Sequence, residues 1–553
     1  MQKIVISSFD IFDTCLLRRS GTGASVVDLL SKKAFSGSVS DEDRHAFMNA
    51  RLVADCSLDK SDKTLDDIYH NLSYRHPLLL PIDQIKSLEL ELEKAMLIPL
   101  ESVKQRIATL RDKGHHIIFI SDMYLPSNFL KEVLCSFDIF REGDSLYVSC
   151  ECGRTKSKGD LYDHIAEKEQ ISFHDWYHYG DNKLSDFEVP KRKGIKATLI
   201  AHKNLPYQAL WNNGDVDMRN RTGVLMAGLS RSVYYSMSDN EHKGFVTDII
   251  APLYVSFVCR VLNDATRRGI RTLFFCARDA GSLYKIAQRL TPYYTNIEVQ
   301  YLYISQQSLY HGDESNRMGY LEQVGLAGKD SKVAIVDIRT TGKTLKKLND
   351  DLTQKGYNPI FGYFFEMFCN GEVMDGMPKY YCEIDHVYNR IHRGALYNGL
   401  MRHWCLFEMF FSLHNEKRTI DYAFENGLYG PVFANKPDGV ECKMSDIESV
   451  ARIHDEVLSQ YVAGFVSLEL HRHADEVLVN IALPTLVQFF TNPNYNYLKT
   501  LTGFYVRDEH TLKLRPYVEK HNLLYFLFVK KDYMWRKASL NYSLPWLTNR
   551  LAR

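Results

Sequence analysis

The sequence predicts an α/β protein built on doubly wound parallel sheets. A helical cap, a second α/β domain and a mainly helical C-terminal region complete it. Two observations lead there. Short β-branched apolar runs alternate with stretches of helical periodicity through residues 1–205, and again through 246–372. That alternation is the mark of parallel strands covered by helices. Each early run also ends in a chemically active side chain, and such sheets bind ligands at the carboxyl ends of their strands.

The elements follow in chain order. Residues 3–10 (KIVISSFD) read as a strand ending in an acid. Residues 26–112 are mostly helical in pattern, with Ile85, Leu88, Leu92 and Met96 at spacings of three and four. Lys113-Gly114 stops a helix before the buried-strand pattern 115–121 (HHIIFIS). Further strands fit 145–149, 176–182 and 195–201. Residues 206–245 are polar and irregular and read as a linker. The second series has strands at 271–277, 299–305, 332–338 and 358–368, with helices at 281–290 and 343–354. From 373 to 553 alternation fades and amphipathic helices at 445–470 and 475–491 dominate. No internal repeat is present.

Of the 553 residues, 25% are charged and 45% hydrophobic, which excludes disorder, collagen-like repeats and coiled coil as the main architecture. Sixty-eight basic residues balance 68 acidic ones. No whole-molecule positive field for nucleic acid exists, although a local basic patch stays open. Eleven scattered cysteines and no leader-like run at the N-terminus point to a reducing, cytoplasmic setting. No apolar run approaches the ~20 residues that span a bilayer.

The first series carries a phosphate chemistry. Asp10 ends the first strand within SFDIFDTCL, and Ser121 ends the second within IFISDMYLP. Lys156 follows the third in GRTKSKGDLY, and Asp181 and Asp186 follow the fourth in YGDNKLSD. A carboxylate can attack phosphorus to form an aspartyl-phosphate. The transferred group carries charge on three oxygens and needs cations and donors around it. Lys156 supplies a point charge and Ser121 a hydroxyl, while Asp10, Asp181 and Asp186 suit Mg²⁺.

The order D-x-x-D-T, strand-Ser, Lys, then G-D-x-x-x-x-D resembles the haloacid dehalogenase (HAD) superfamily over residues 1–205, with a helical cap at about 16–112. The resemblance implies a Mg²⁺-dependent phosphatase acting on a phosphorylated small molecule, such as a nucleotide or sugar phosphate. It makes Asp10 the nucleophile and a metal ligand, with the Phe12 carbonyl, Asp181 and Asp186 completing or supporting the metal set. Ser121 and Lys156 would contact phosphate. One departure stands out: Phe12 occupies the position where the family's phosphatases carry a general acid/base. Asp13 is the candidate replacement for that proton donor. An alternative is a weak or inactive HAD module kept as scaffold.

Residues 333–344 (VAIVDIRTTGKT) run from a buried strand through a Thr-Thr-Gly turn into a helix. Backbone N–H groups there, with the hydroxyls of Thr340, Thr341 and Thr344, can cradle a phosphate. The loop resembles that of type I phosphoribosyltransferases, with Asp337 as the second acid, Val336 in place of the first, and Gly342 in the turn. CARDAGSL (276–283) is similar to that family's pyrophosphate-side loop, with Arg278 in place. The resemblance implies a phosphoribosyl or nucleotide ligand over 246–372. The whole layout also resembles long bacterial HAD proteins that accompany glycosyltransferases in surface-polysaccharide synthesis.

Other signals read blandly. Cys150-x-Cys152 lacks a partner pair at zinc spacing. His471-x-His473 does not share a helix face. His115-His116 starts a strand, and Cys15 has no base near it in sequence. The tail 513–553 holds nine Lys and Arg against two acids, interleaved with LLYFLFV. It fits docking on the rest of the chain, or contact with an anionic membrane or nucleic acid.

Overall fold

The computed structural model describes residues 5–35, 40–58, 63–78, 80–200, 221–237, 240–329, 332–367, 380–382, 416–435, 442–444, 447–493, 495–507 and 514–518, with 406, 411, 520, 539 and 543. Most of the basic tail, and the linker up to 220, therefore lie outside the described residues. The chain forms two compact units, Met1–Ser238 and Asp239–Arg553.

The first unit is built on five strands, β1 Ile6–Asp10, β4 His116–Ser121, β5 Ser145–Val148, β6 Trp176–Gly180 and β7 Lys196–Leu199, all parallel in the order β5-β4-β1-β6-β7. Two short strands inserted after β1 complete the numbering: β2 Leu16–Arg18 and β3 Leu97–Pro99 pair antiparallel. Every residue of β1 is buried, as expected of a central parallel strand covered on both faces. Its neighbours alternate. Ile117 and Phe119 face a cluster with Phe9, Val103, Leu130 and Val133, whereas Ile118 and Ile120 face Leu161, Ile165 and Trp176. Register aligns the strand ends: Asp10 pairs with Ile120, one residue before Ser121, and Phe9 pairs with Tyr179. The acid and hydroxyl ends of the strands thus meet at one edge.

Between β2 and β3 lie four helices: α1 Gly23–Ala34, α2 Asp41–Cys56, α3 Leu65–Arg75 and α4 Ile82–Met96. The side chains of Thr22, Ser40 and Thr64 cap the first three. Their apolar stripes close on a separate core with Leu30, Phe47, Ile68, Tyr69 and Ile85. The helix Glu101–Asp112, expected within the cap, instead sends Val103 and Ile107 into the sheet's core. The insertion therefore ends with β3.

The segment expected to be a linker contains a helix, Arg221–Ser236. It is almost wholly buried, and Gly228 lies against Gly21 so closely that a Cβ there would stand 2.2 Å from the Gly21 nitrogen. Small and polar residues in GVLMAGLSRS hide this helix from a periodicity reading, because contact is made through backbone as much as through side chains.

The second unit opens with a 26-residue helical stretch, Lys243–Arg268. It is long and apolar enough to cross a membrane, contrary to the reading that no run approaches that length, but 94% of its most apolar window is buried. It packs beside a second parallel sheet of β8 Thr272–Cys276, β9 Glu298–Leu302, β10 Val333–Thr340, β11 Phe361–Met367 and β12 Tyr380–Cys382, ordered β12-β11-β10-β8-β9. A hairpin follows, β13 Thr419–Glu425 and β14 Leu428–Phe433. Its turn residues Asn426 and Gly427 both have positive φ, 52° and 82°, the signature of a tight primed turn. Tyr422 of β13 stacks on Tyr320 with ring centroids 4.8 Å apart and joins the core of the second sheet. The expected boundary at 372/373 therefore separates no compact units. Strands β15 Cys442–Met444, β16 Phe504–Arg507 and β17 Leu514–Pro516 form a small antiparallel sheet around the helical stretch 447–491. Among the described residues, the C-terminal region is mainly helical, as expected, with these short antiparallel strands added.

Candidate active site

Asp10 sits at the C-terminal end of β1, and the chain turns sharply after it. The backbone N–H groups of Cys15 and Leu16 donate to the Ile11 carbonyl at 2.8 Å, and that of Asp13 donates to the Leu16 carbonyl at 2.7 Å. Asp13 adopts a left-handed conformation, φ 56°. Two turns bring other strand ends to the same place. Lys156 Nζ bonds Asp10 Oδ1 and lies 2.7 Å from Asp186 Oδ1, with only 3% of its side chain exposed. One carboxylate oxygen from each of Asp10, Asp181 and Asp186 lies within 4.8 Å of the others. Thr14 Oγ1 approaches Asp181 at 3.5 Å, and Ser121 is buried at the neighbouring strand end.

Burial pushes the Asp10 carboxyl up to about 8; Lys156 opposes this, and Asp186 and Asp181 add to it. Burial also works against the Asp186 carboxylate, but Lys156 and His178 outweigh it and hold its pKa below the ordinary value. Lys156 is held above its ordinary value because Asp10 and Asp186 outweigh its own burial. With Asp10 ionised, three carboxylates facing one ammonium carry two net negative charges, which a divalent cation would balance. The donors are hard oxygens, the kind that Mg²⁺ takes from carboxylates. The residues fit such an ion, and Asp10, Asp181 and Asp186 would hold it.

Sequence reasoning missed the groups behind these. Asp122 accepts the Lys156 backbone N–H at 2.9 and 3.1 Å, which fixes the lysine loop to the Ser121 strand end. Trp176 Nε1–H donates to Ser8 Oγ at 2.6 Å. The Asp186 carboxylate can only accept, so in the neutral ring Nε2 carries the proton and Nδ1 accepts from the Ser8 hydroxyl, 2.7 Å away. His178 Nε2–H then faces Asp186 Oδ1 at 3.3 Å. Burial holds His178 below its ordinary pKa, so the chain runs through a neutral ring and orients Asp186. Ser8, Trp176 and His178 alternate with residues of the expected strand pattern, and only pairing of β1 with β6 reveals their contact.

The side chains of Phe12 and Asp13 have other partners. Phe12 presents its ring to the Arg18 guanidinium, 4.1 Å from the centroid, and Arg18 is paired with Glu93 of α4 at 2.6 Å. The Asp13 carboxylate pairs with Arg231 at 3.0 Å, rather than grouping with Asp10, Asp181 and Asp186.

In the second unit, Arg278, Asp337, Thr340, Thr341 and Thr344 line one cavity of about 330 Å³ at the C-terminal edge of the sheet. Gly342, with φ 80°, caps the helix Lys343–Gln354, and its N–H donates to Thr340 Oγ1 at 3.1 Å. Arg339 and Arg418 also line the cavity, with Asp279. No motif pointed to Arg418, which arrives with the segment preceding β13.

No protein-family model matches the chain, and no curated protein matches it. Among solved structures it is similar to HAD-family proteins over its N-terminal region. A HAD phosphatase from Thermococcus onnurineus shows 18% identity over 36% of this chain and 88% of that one, with a TM-score of 0.28. A HAD family enzyme from Bacteroides thetaiotaomicron, in complex with magnesium and inorganic phosphate, shows 11% identity over 36% and 94%, TM-score 0.26. A 2-haloacid dehalogenase from Pseudomonas syringae pv. Tomato DC3000 shows 14% identity over 39% and 91%, TM-score 0.27.

Proposed function

We propose that the first unit is a Mg²⁺-dependent phosphatase of HAD type. It would act on a phosphomonoester such as a nucleotide or sugar phosphate through an aspartyl-phosphate on Asp10. The observation that carries the reading is the grouping of Asp10, Asp181 and Asp186 around buried Lys156 at one sheet edge. Asp10 Oδ attacks phosphorus as the bond to the leaving oxygen breaks, and that oxygen departs with the electron pair. Lys156 and the Ser121 hydroxyl face the charge that spreads over the phosphoryl oxygens. Bound Mg²⁺ would supply neutralising charge and keep Asp10 ionised. Water then attacks phosphorus, releasing phosphate and restoring Asp10. With Asp13 engaged by Arg231 and Phe12 apolar, the leaving oxygen takes its proton from solvent. General acid catalysis worth roughly 10²–10⁴ is then forgone. Wild type should hydrolyse a chromogenic phosphate ester in Mg²⁺ and Asp10→Asn should not. Equal rates from both would end the reading.

A second reading concerns the other unit. The cavity lined by Arg278, Asp337 and the three threonines supports binding of a phosphoribosyl or nucleotide ligand. Calorimetry with phosphoribosyl pyrophosphate and nucleotides tests it: Asp337→Ala should weaken binding about tenfold or more, as expected when one hydrogen bond to a ligand is lost. Identical isotherms for the two proteins would remove Asp337 from the site.

A further inference from the structure

The turn behind Asp10 is held from outside the sheet. Its third residue, Asp13, is in the left-handed region, which costs free energy for a residue with a Cβ even though aspartate tolerates it better than most, so an outside contact stabilises the turn. Arg231 gives it. The Nη2 nitrogen lies 3.0 Å from Asp13 Oδ1 and donates to the Gly21 carbonyl at 3.1 Å. One guanidinium thus joins the nucleophile turn to the loop that leads into α1. The placement of Arg231 is itself fixed. Gly228, three residues earlier and on the same helix face, is seated on the Gly21 backbone with no room for a Cβ. The helix Arg221–Ser236 cannot slide along that loop without a clash.

We propose that Arg231 is a positioning residue for phosphoryl transfer, an inference that rests on the reading of Asp10 as nucleophile. It does not touch the reacting atoms. It restrains Asp13, Asp13 restrains the Ile11–Leu16 turn, and the turn aims the Asp10 carboxylate. A nucleophile displaced by about 1 Å loses on the order of 10² in rate, while substrate binding by other groups persists.

The test is a double-mutant cycle on the full chain with a chromogenic phosphate ester at saturating Mg²⁺. Arg231→Ala and Asp13→Ala should each lower kcat by roughly 10–100-fold with KM within about twofold. The double variant should be no slower than the slower single one, because both act through one contact. Arg231→Lys, which keeps the charge, should recover part of kcat, and so should millimolar guanidinium added to Arg231→Ala. Additive losses, or an Arg231→Ala kcat equal to wild type, overturn the proposal. Hydrogen exchange separates this from the catalytic reading. The amides of Asp13, Cys15 and Leu16 should exchange faster in Arg231→Ala, and also in the milder Arg231→Gln, whether or not the protein turns over. Unchanged exchange there overturns the proposal even in an active enzyme. A wild type that hydrolyses no phosphate ester, with faster exchange in the variants, sinks the catalytic reading and leaves the restraint standing.

Discussion

Replacing Lys156 by Met removes the ammonium shared by Asp10 and Asp186 while keeping the length of the side chain. The lysine side chain is 3% exposed, that of Asp186 1% and that of Asp10 10%, so solvent cannot take over the lost interaction. Removing one partner of such a buried pair costs about 3–5 kcal/mol. Asp10, already pushed up to about 8, is largely protonated near pH 7, so the charge left unpaired there is that of Asp186, which eases the loss toward the lower bound. At roughly 2–4 °C per kcal/mol for a unit of about this size, a loss near 3 kcal/mol lowers its melting temperature by about 6–12 °C. The sign with pH follows from the same groups. An acid whose folded pKa is raised binds protons more tightly when folded, and Asp10 loses the lysine that restrains it, so the variant's deficit grows as pH rises through about 8. Mg²⁺ should recover part of the deficit by supplying the missing positive charge. The assay is calorimetric melting of both proteins in chelator and in Mg²⁺. A Lys156→Met melting temperature within about 2 °C of wild type in chelator would refute the buried-pair reasoning.

Asp248, buried in the second unit and bonded by the Tyr497 hydroxyl at 2.5 Å, is pushed by burial from 3.8 to about 7. It binds more protons folded than unfolded, so stability should fall as pH rises from about 4 to about 7 and level off beyond. The full span is worth about 4 kcal/mol. Asp248→Asn should flatten that slope in urea denaturation, and parallel wild-type and variant curves would refute it. Gly228→Ala should destabilise the first unit by at least 2 kcal/mol, because backbone rather than a flexible side chain meets the new Cβ. An unchanged denaturation midpoint would show that the helix Arg221–Ser236 does not dock as described.

Local pattern in the sequence determined a good deal. Apolar β-branched runs alternating with helical periodicity can be buried only as parallel strands under helices, so both sheets were legible. Because strand ends converge in such sheets, the acids and the lysine of the first site were legible as a group despite a separation of 146 residues between Asp10 and Lys156. The threonine turn and Arg278 were legible for the same reason, and they share a cavity.

What only the tertiary structure decided depends on pairing across distance. His178 becomes an orienting group because β6 lies beside β1 and sets it between Ser8 and Asp186. Arg231 gains a partner because glycine meets glycine, a contact that leaves no apolar stripe to read. The burial of Tyr422, which ties the hairpin around Asn426-Gly427 to the second sheet, left no such local mark. Strands β15 to β17, three or four residues each, are too short to show a period and are defined by their partners. Periodicity reports how a segment treats water; it carries no record of which neighbour excludes the water, and that choice places the side chains that do the chemistry.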